Sequence, residues 1–207
     1  MTISISRFWG ILVMVPLCFS SCNTPKYTYS YDAGKYLDFG EGKWLLNKTR
    51  SNSKIFDSEL YDLSNEEFGK ILGDSLIEIS TLRRTRLIPT EIGFDLEQGQ
   101  LLELREATGC NYLINVRGTI INEGVGSVTV PSDDLGYYGS NQSSVSIHIY
   151  HLDSGIELSS SSVHAKVVDQ GEISKTNSIP RINTSSHTSM LTAAKKLIRK
   201  YGSYSKK

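Results

Sequence analysis

The stretch from Leu101 to Ile120 constrains the fold more than any other part of the chain. Leu101, Leu104 and Ala107 share a helical face, and Gly109 suits the left-handed residue that follows a helix end. Tyr112, Ile114, Val116 and Ile120 then recur at strand spacing. The pattern predicts a helix folded back onto the centre of a sheet. A first β-α-β unit would precede it, and antiparallel strands with a closing helix would follow.

The flanking segments fill in that outline. Lys43-Trp44-Leu45-Leu46-Asn47 reads as an opening strand, and a polar run over 48–54 as a loop. Ser64-Asn65-Glu66-Glu67 has capping-box spacing, so a helix is expected to start there, with Phe68, Ile71, Leu72, Leu76 and Ile79 as its apolar stripe. A short strand is expected at Arg86-Leu87-Ile88, ended by Pro89, and the next helix at Asp95 or Glu97. Arg83, Arg84 and Arg86 suit a solvated helix end against its own dipole, or alternatively an anionic partner.

Beyond the central strand, Val145-Ser146-Ile147-His148-Ile149-Tyr150 alternates, Asp153-Ser154-Gly155 signals a tight turn, and 156–168 alternates again, which together make a hairpin. Its serines, Ser159 to Ser162, suit an exposed edge or face. Leu191, Ala194, Leu197, Ile198 and Tyr201 form the stripe of a last helix stopped at Gly202, with Lys195, Lys196, Arg199 and Lys200 on its other side. The fold class expected is α/β (α+β): one domain with a mixed, mostly antiparallel sheet of about five strands and helices packed on it. A length of 207 residues is enough for such a core without disulfides.

The amino terminus reads as a targeting segment. Arg7 precedes an apolar run from Phe8 to Phe19, too short for a membrane-spanning helix. Phe19-Ser20-Ser21-Cys22 resembles the lipobox of bacterial lipoproteins, with Phe19 where leucine is usual. The resemblance implies that 1–21 is removed and that Cys22 carries lipid; the other reading is a plain secretory signal cleaved nearby. A flexible tether is expected over 22–41, the alternative being that Tyr27, Tyr29, Tyr31 and Tyr36 dock on the domain or on a partner; the domain is expected over 42–202 and a polar tail over 203–207. Cys110 is then the lone remaining thiol, expected as a small buried hydrophobe.

Little in the sequence points to chemistry. The formal net charge is zero, which gives no electrostatic case for nucleic acid. Phosphate-cradling glycine loops, zinc helices, calcium loops and nucleophile elbows are missing, and Gly124-Val125-Gly126 is read as a turn. His148, His151, Asp153 and His164 are the best metal candidates, but the expected hairpin register keeps His148 and His164 apart, so neither metal nor cofactor is expected. Asp95, Glu97, Glu103 and Glu106 read as a solvated helix face, and no catalytic residue is assigned. The polar segment 122–143 carries Gly136-Tyr137-Tyr138-Gly139, and Tyr137 and Tyr138 are the candidate partner-binding residues; the alternative is that they pack back on the body.

This order of elements, with the lipobox, resembles the periplasmic lipoproteins related to the curli secretion component, the penicillin-binding-protein activators and the amino-terminal domain of the Tol translocation protein. The phrases that carry it are Lys43-Trp44-Leu45-Leu46, the helix-glycine-strand from Leu104 to Ile114, and the strand and turn from Ile147 to Gly155. The resemblance implies a mixed sheet with helices packed on it, an outer-membrane lipid anchor and a non-catalytic role in assembling or activating envelope machinery; the leading expectation is a periplasm-facing module that docks on an envelope protein or on peptidoglycan. A wall- or glycan-acting enzyme and an oligomeric secretion or structural component are the competing expectations.

Overall fold

The computed structural model describes residues 22–124, 128–129, 138–170 and 181–205. The targeting segment at 1–21 lies outside them. Ten strands and four α-helices are present among the described residues. In chain order they begin with β1 (Cys22–Asn23), β2 (Lys26–Ala33), β3 (Trp44–Leu46) and β4 (Arg50–Ser51). α1 (Asp57–Leu72), β5 (Leu76–Glu78), α2 (Ile79–Leu82), α3 (Gln98–Thr108) and β6 (Tyr112–Glu123) follow. The chain ends with β7 (Val128–Thr129), β8 (Tyr138–His151), β9 (Ile156–Gln170), β10 (Arg181–Asn183) and α4 (Ser186–Tyr204).

The main sheet has seven strands ordered β2-β9-β8-β6-β3-β5, with β4 pairing β6 off that path. β3 runs parallel to both β5 and β6, whereas β6-β8, β8-β9 and β9-β2 are antiparallel. It is the expected mixed sheet, two strands wider than expected. A small second sheet, β1-β10-β7, lies at the far end of the long strands.

β3 shows why the parallel half is buried on both sides. Trp44 and Leu46 enter the core beneath α1 and α4, while Leu45 enters the core beneath α3, and all three are fully buried. A continuous apolar triplet suits a strand covered on both faces. β8 instead alternates: Val145, Ile147 and Ile149 face α4, and Ser146 and His148 between them do not. α4 approaches so closely that a Cβ on Gly118 would lie 2.5 Å from Met190 Sδ, which is why β6 carries glycine there.

Four expectations are corrected. The 22–41 tether contains an edge strand: β2 pairs with β9 from Lys26↔Lys166 to Ala33↔Ser160. The cause is the alternation of Tyr27, Tyr29 and Tyr31, which turns three rings toward α4. Lys196 Nζ sits 3.9 Å from the Tyr27 ring centre and Lys200 Nζ 4.3 Å from that of Tyr29, and Tyr31 meets Tyr201 edge-on at 6.3 Å. Second, α1 begins at Asp57 rather than Ser64, and Ser64 Oγ donates back to Leu60 O at 2.7 Å inside the helix. Gly73, at φ 55°, then ends it, freeing Leu76–Glu78 to become the short strand expected at 86–88. Third, α4 continues past Gly202 to Tyr204, so the polar tail begins inside the helix. The Tyr204 ring contacts Tyr31 and Tyr36, with Lys35 Nζ 4.7 Å from its centre. Fourth, Ser159 and Ser161 point inward, where both meet the Tyr201 hydroxyl at 2.7 and 2.6 Å.

The helix expected at Asp95 or Glu97 is α3, with Glu97 as its N-cap in a capping box with Gln100, and Gly109 is left-handed at φ 68°. The central strand and the hairpin also form where the periodicity puts them.

Glu67, the glutamate of the supposed capping box, is the charged hinge between α1 and α4. Its side chain is 2% exposed, and Arg199 Nε, Lys70 Nζ and Lys195 Nζ lie 2.7, 2.7 and 3.6 Å from its oxygens. The Arg199 hydrogen bond, with help from Lys70, outweighs desolvation and pulls its carboxyl down to about 2.

Glu67→Gln is expected to lower stability by about 1–3 kcal/mol at neutral pH in urea denaturation. An ordinary glutamate titrates near ~4.3, so Glu67's contribution is complete above that pH and fades as pH falls toward 2. The gap between the two proteins should therefore narrow on acidification. A second expectation concerns β2: replacing Tyr27, Tyr29 and Tyr31 by serine should release it from β9. Amide exchange over 26–33 would then rise by orders of magnitude while α3 stays protected.

Candidate binding surface

Two of the sequence-derived candidates, Cys22 and Tyr138, fall at one end of the sheet. Cys22 begins β1, its main chain paired with Ile182. Tyr137 lies outside the described residues; Tyr138 starts β8 opposite Gln170, its side chain also outside the description. β2, β8 and β9 bring Lys26, Gln142 and Lys166 side by side just beyond this point, so the Cys22 and Tyr138 ends of the chain meet at the same margin.

The histidines do not assemble. His148 is opposite Ser160, His164 is opposite Ser144 and Thr28, and His151 Nδ1 is 2.8 Å from Ser154 Oγ. Among the described residues no cluster of His, Cys, Asp and Glu could hold a metal. Cys110 is fully buried, and burial pushes its thiol up, away from thiolate chemistry. The arginine trio is spent partly on carbonyls: Arg83 Nη2 donates to Pro89 O and Thr90 O, and Arg86 Nη1 to Ala107 O at the end of α3 instead of α2.

What the strands do assemble is a broad polar face. The side of β2, β9, β8 and β6 away from α4 presents Lys26, Thr28 and Ser30, then Ser160, Ser162, His164 and Lys166. Next come Gln142, Ser144, Ser146 and His148, and finally Arg117 and Thr119. These side chains are half-buried or exposed, and no helix among the described residues lies over them. Neighbouring strands are about 4.8 Å apart and same-face residues about 6.7 Å apart along each, so the face is a regular lattice of short donors and acceptors.

One edge of this face is bounded by a built wall. The Phe94 ring lies between the Arg117 guanidinium, 3.8 Å from its centre, and the His148 ring at 4.5 Å. His148 Nδ1 is 2.7 Å from Glu157 Oε1 and 3.2 Å from the Tyr150 hydroxyl. Tyr150 OH donates to Phe94 O at 3.1 Å, and burial pushes this phenol up to about 12, keeping it a neutral donor. Phe94 itself is buried, so it is a wall and not a stacking platform.

The wall is held from below by two amides that sequence reasoning passed over. Asn47 Nδ2 donates to Asn115 Oδ1 at 2.9 Å and to Ile92 O, and Asn115 Nδ2 donates to Gly93 O and Phe94 O at 3.0 and 2.8 Å. Both are buried. The available signal was an asparagine inside the apolar run 112–120, a costly choice unless every polar atom is satisfied. Asn115→Ala is expected to cost about 2–3 kcal/mol in denaturant unfolding, since it strands two carbonyls and half of Asn47. It should also speed amide exchange in 92–95.

No protein-family model and no curated protein sequence matches the chain. Solved structures give a weaker likeness. A PelC dodecamer from Paraburkholderia phytofirmans is 10% identical over 88% of this chain and 100% of its own, with a TM-score of 0.49. A putative neuraminyllactose-binding hemagglutinin homolog from Helicobacter pylori is 10% identical over 84% of this chain and 87% of its own, at 0.42. Lipoprotein GNA1162 from Neisseria meningitidis is 12% identical over 63% of this chain and 85% of its own, at 0.36. At such identities and scores none of them lends this protein a role.

Proposed function

We propose that this chain is a lipid-anchored, non-catalytic binding module of the bacterial envelope, and that its open sheet face engages a cell-wall glycan. The observation that carries the reading is the hydroxyl- and amide-bearing face of β2, β9, β8 and β6, with no covering helix among the described residues. An obligate protein interface wants an apolar centre, which this face lacks. A polysaccharide instead offers a row of hydroxyls that hydrogen-bond in water-rich contacts, and a lattice of serines, threonines and imidazoles meets that need.

The anchor makes such weak contacts sufficient. A lipidated Cys22 confines the domain beside the wall, so its local concentration replaces much of the affinity a free protein would require. β1, which starts at Cys22, leads within a few residues into β2, an edge of that face. Outer-membrane attachment facing the periplasm is the reading we adopt, with Tyr137 and Tyr138 as an adjoining contact at the anchor end.

The test is co-sedimentation of the protein with purified peptidoglycan sacculi. Binding is expected, and Ser144→Glu with Ser160→Glu should abolish it without changing the circular-dichroism melt. A protein that stays in the supernatant, or that crosslinks to an envelope protein in the double variant as in the parent, overturns the glycan assignment. Cys22→Ser is expected to remove metabolic palmitate labelling and membrane attachment together, and retained attachment would overturn the anchor.

A further inference from the structure

A second surface, distinct from the open face, lies at the carboxyl end of β3. The chain leaving β3 turns into α1 on one side of the sheet, whereas the chain leaving β5 reaches β6 through α3 on the other. Where connections from parallel strands diverge to opposite faces, a crevice is left outside the strand ends, and ligands of α/β sheets favour that place. Here the crevice is a cleft of about 440 Å³.

Its charge is one-sided. Lys48, Arg50, Lys54 and Arg83 line it, against two carboxylates, Asp57 and Glu91. Asp57 is already engaged, its Oδ1 accepting from the Ser51 amide at 2.6 Å and the Ser51 hydroxyl at 2.7 Å. Glu91 is 80% exposed and meets Arg50 only at 3.4 Å. Lys48 and Lys54 are exposed and have no ion pair among the described residues. Arg83 is pinned by its two bonds to Pro89 O and Thr90 O, both 2.7 Å, while its Nε is buried with no acceptor. Two exposed, unpaired ammonium groups, with an arginine held in place by two carbonyls, line this cleft and suit a compact anion.

We infer that this cleft binds a small phosphate monoester. A dianionic phosphoryl group uses more of the four cations than a single carboxylate can, and the volume holds a sugar-sized body attached to it. The floor is rigid, because Asn47 accepts from the Lys48 amide at 2.8 Å while its own amide is tied to Asn115. Ligand binding here is independent of glycan binding at the open face, so either can fail without the other.

Calorimetric titration of the full chain in detergent with glucose 6-phosphate tests it, with glucose as the uncharged control and hydrogen exchange as the map. Expected are saturable binding that weakens with added salt, no heat with glucose, and exchange protection confined to 47–57 and 83–92. Lys48→Glu with Lys54→Glu, both at exposed positions, should weaken binding about tenfold or more while the thermal melt is unchanged. Absence of saturation up to about 10 mM, protection elsewhere, or unchanged affinity in the double variant overturns the assignment.

Discussion

The burial of β3 on both faces is the constraint on which the rest of the structure depends. Trp44, Leu45 and Leu46 lose all contact with water, and each such side chain contributes about 1.5–3 kcal/mol by leaving it. More important is the direction of that burial. Alternation sends Trp44 and Leu46 to one core and Leu45 to the other, so three consecutive residues join the α1-α4 layer to the α3 layer through the sheet. Trp44 also stacks on Tyr112 with ring centres 4.0 Å apart, which sets the register of β3 against β6. The cleft at the end of β3 and the asparagine-held wall both inherit their positions from this strand.

α4 supplies the complementary constraint. It crosses β6, β8 and β9 and reaches the rings of β2, so one helix closes the whole antiparallel half. Its outer side is not idle: the lysines that the sequence places opposite the apolar stripe cover Tyr27 and Tyr29 or meet Glu67. Long cationic side chains can lie along aromatic faces and keep their charge in water, so they serve both packing and solubility. Glu67 tolerates burial because three cations surround it and remain partly solvated themselves.

These details mark how far the sequence could be read. Elements with a long, regular period were legible: α3 with Gly109, the central strand, the hairpin, and the stripe of α4. Short or edge elements were not. β5 has three residues, fewer than one clear period, and it follows a glycine that a helical stripe from Phe68 to Ile79 reads straight through. β2 is a strand because its tyrosines find a helix nearly 170 residues downstream, and local composition alone resembles a tether. Ser64 and Glu67 match a capping box, yet Ser64 bonds back to Leu60 O inside a helix that began earlier, and Arg199 of α4 claims Glu67. The surfaces were harder still, since Lys48 and Arg83 become neighbours only once β3 has paired with β5, and the even-numbered serines of β8 and β9 form a face only in register.

That face invites a comparison with how a sheet is ordinarily kept soluble. An antiparallel sheet with one wet side is usually coated by long charged side chains, which also discourage edge pairing. Here serines and threonines dominate, with Lys26, Lys166 and Arg117 toward the margins. Covering a lysine or glutamate costs roughly 1.5–2 kcal/mol of side-chain freedom, whereas the shorter side chains lose far less. A surface of short hydroxyls is therefore cheap to cover, provided the covering partner returns the hydrogen bonds that water supplied. The inner serines show the same logic completed: Ser159 and Ser161 are buried because the Tyr201 hydroxyl meets both. The outer row carries the same hydroxyls with no helix over them among the described residues, and the proposed docking of a hydroxyl-bearing polymer would supply the partner that Tyr201 supplies inside.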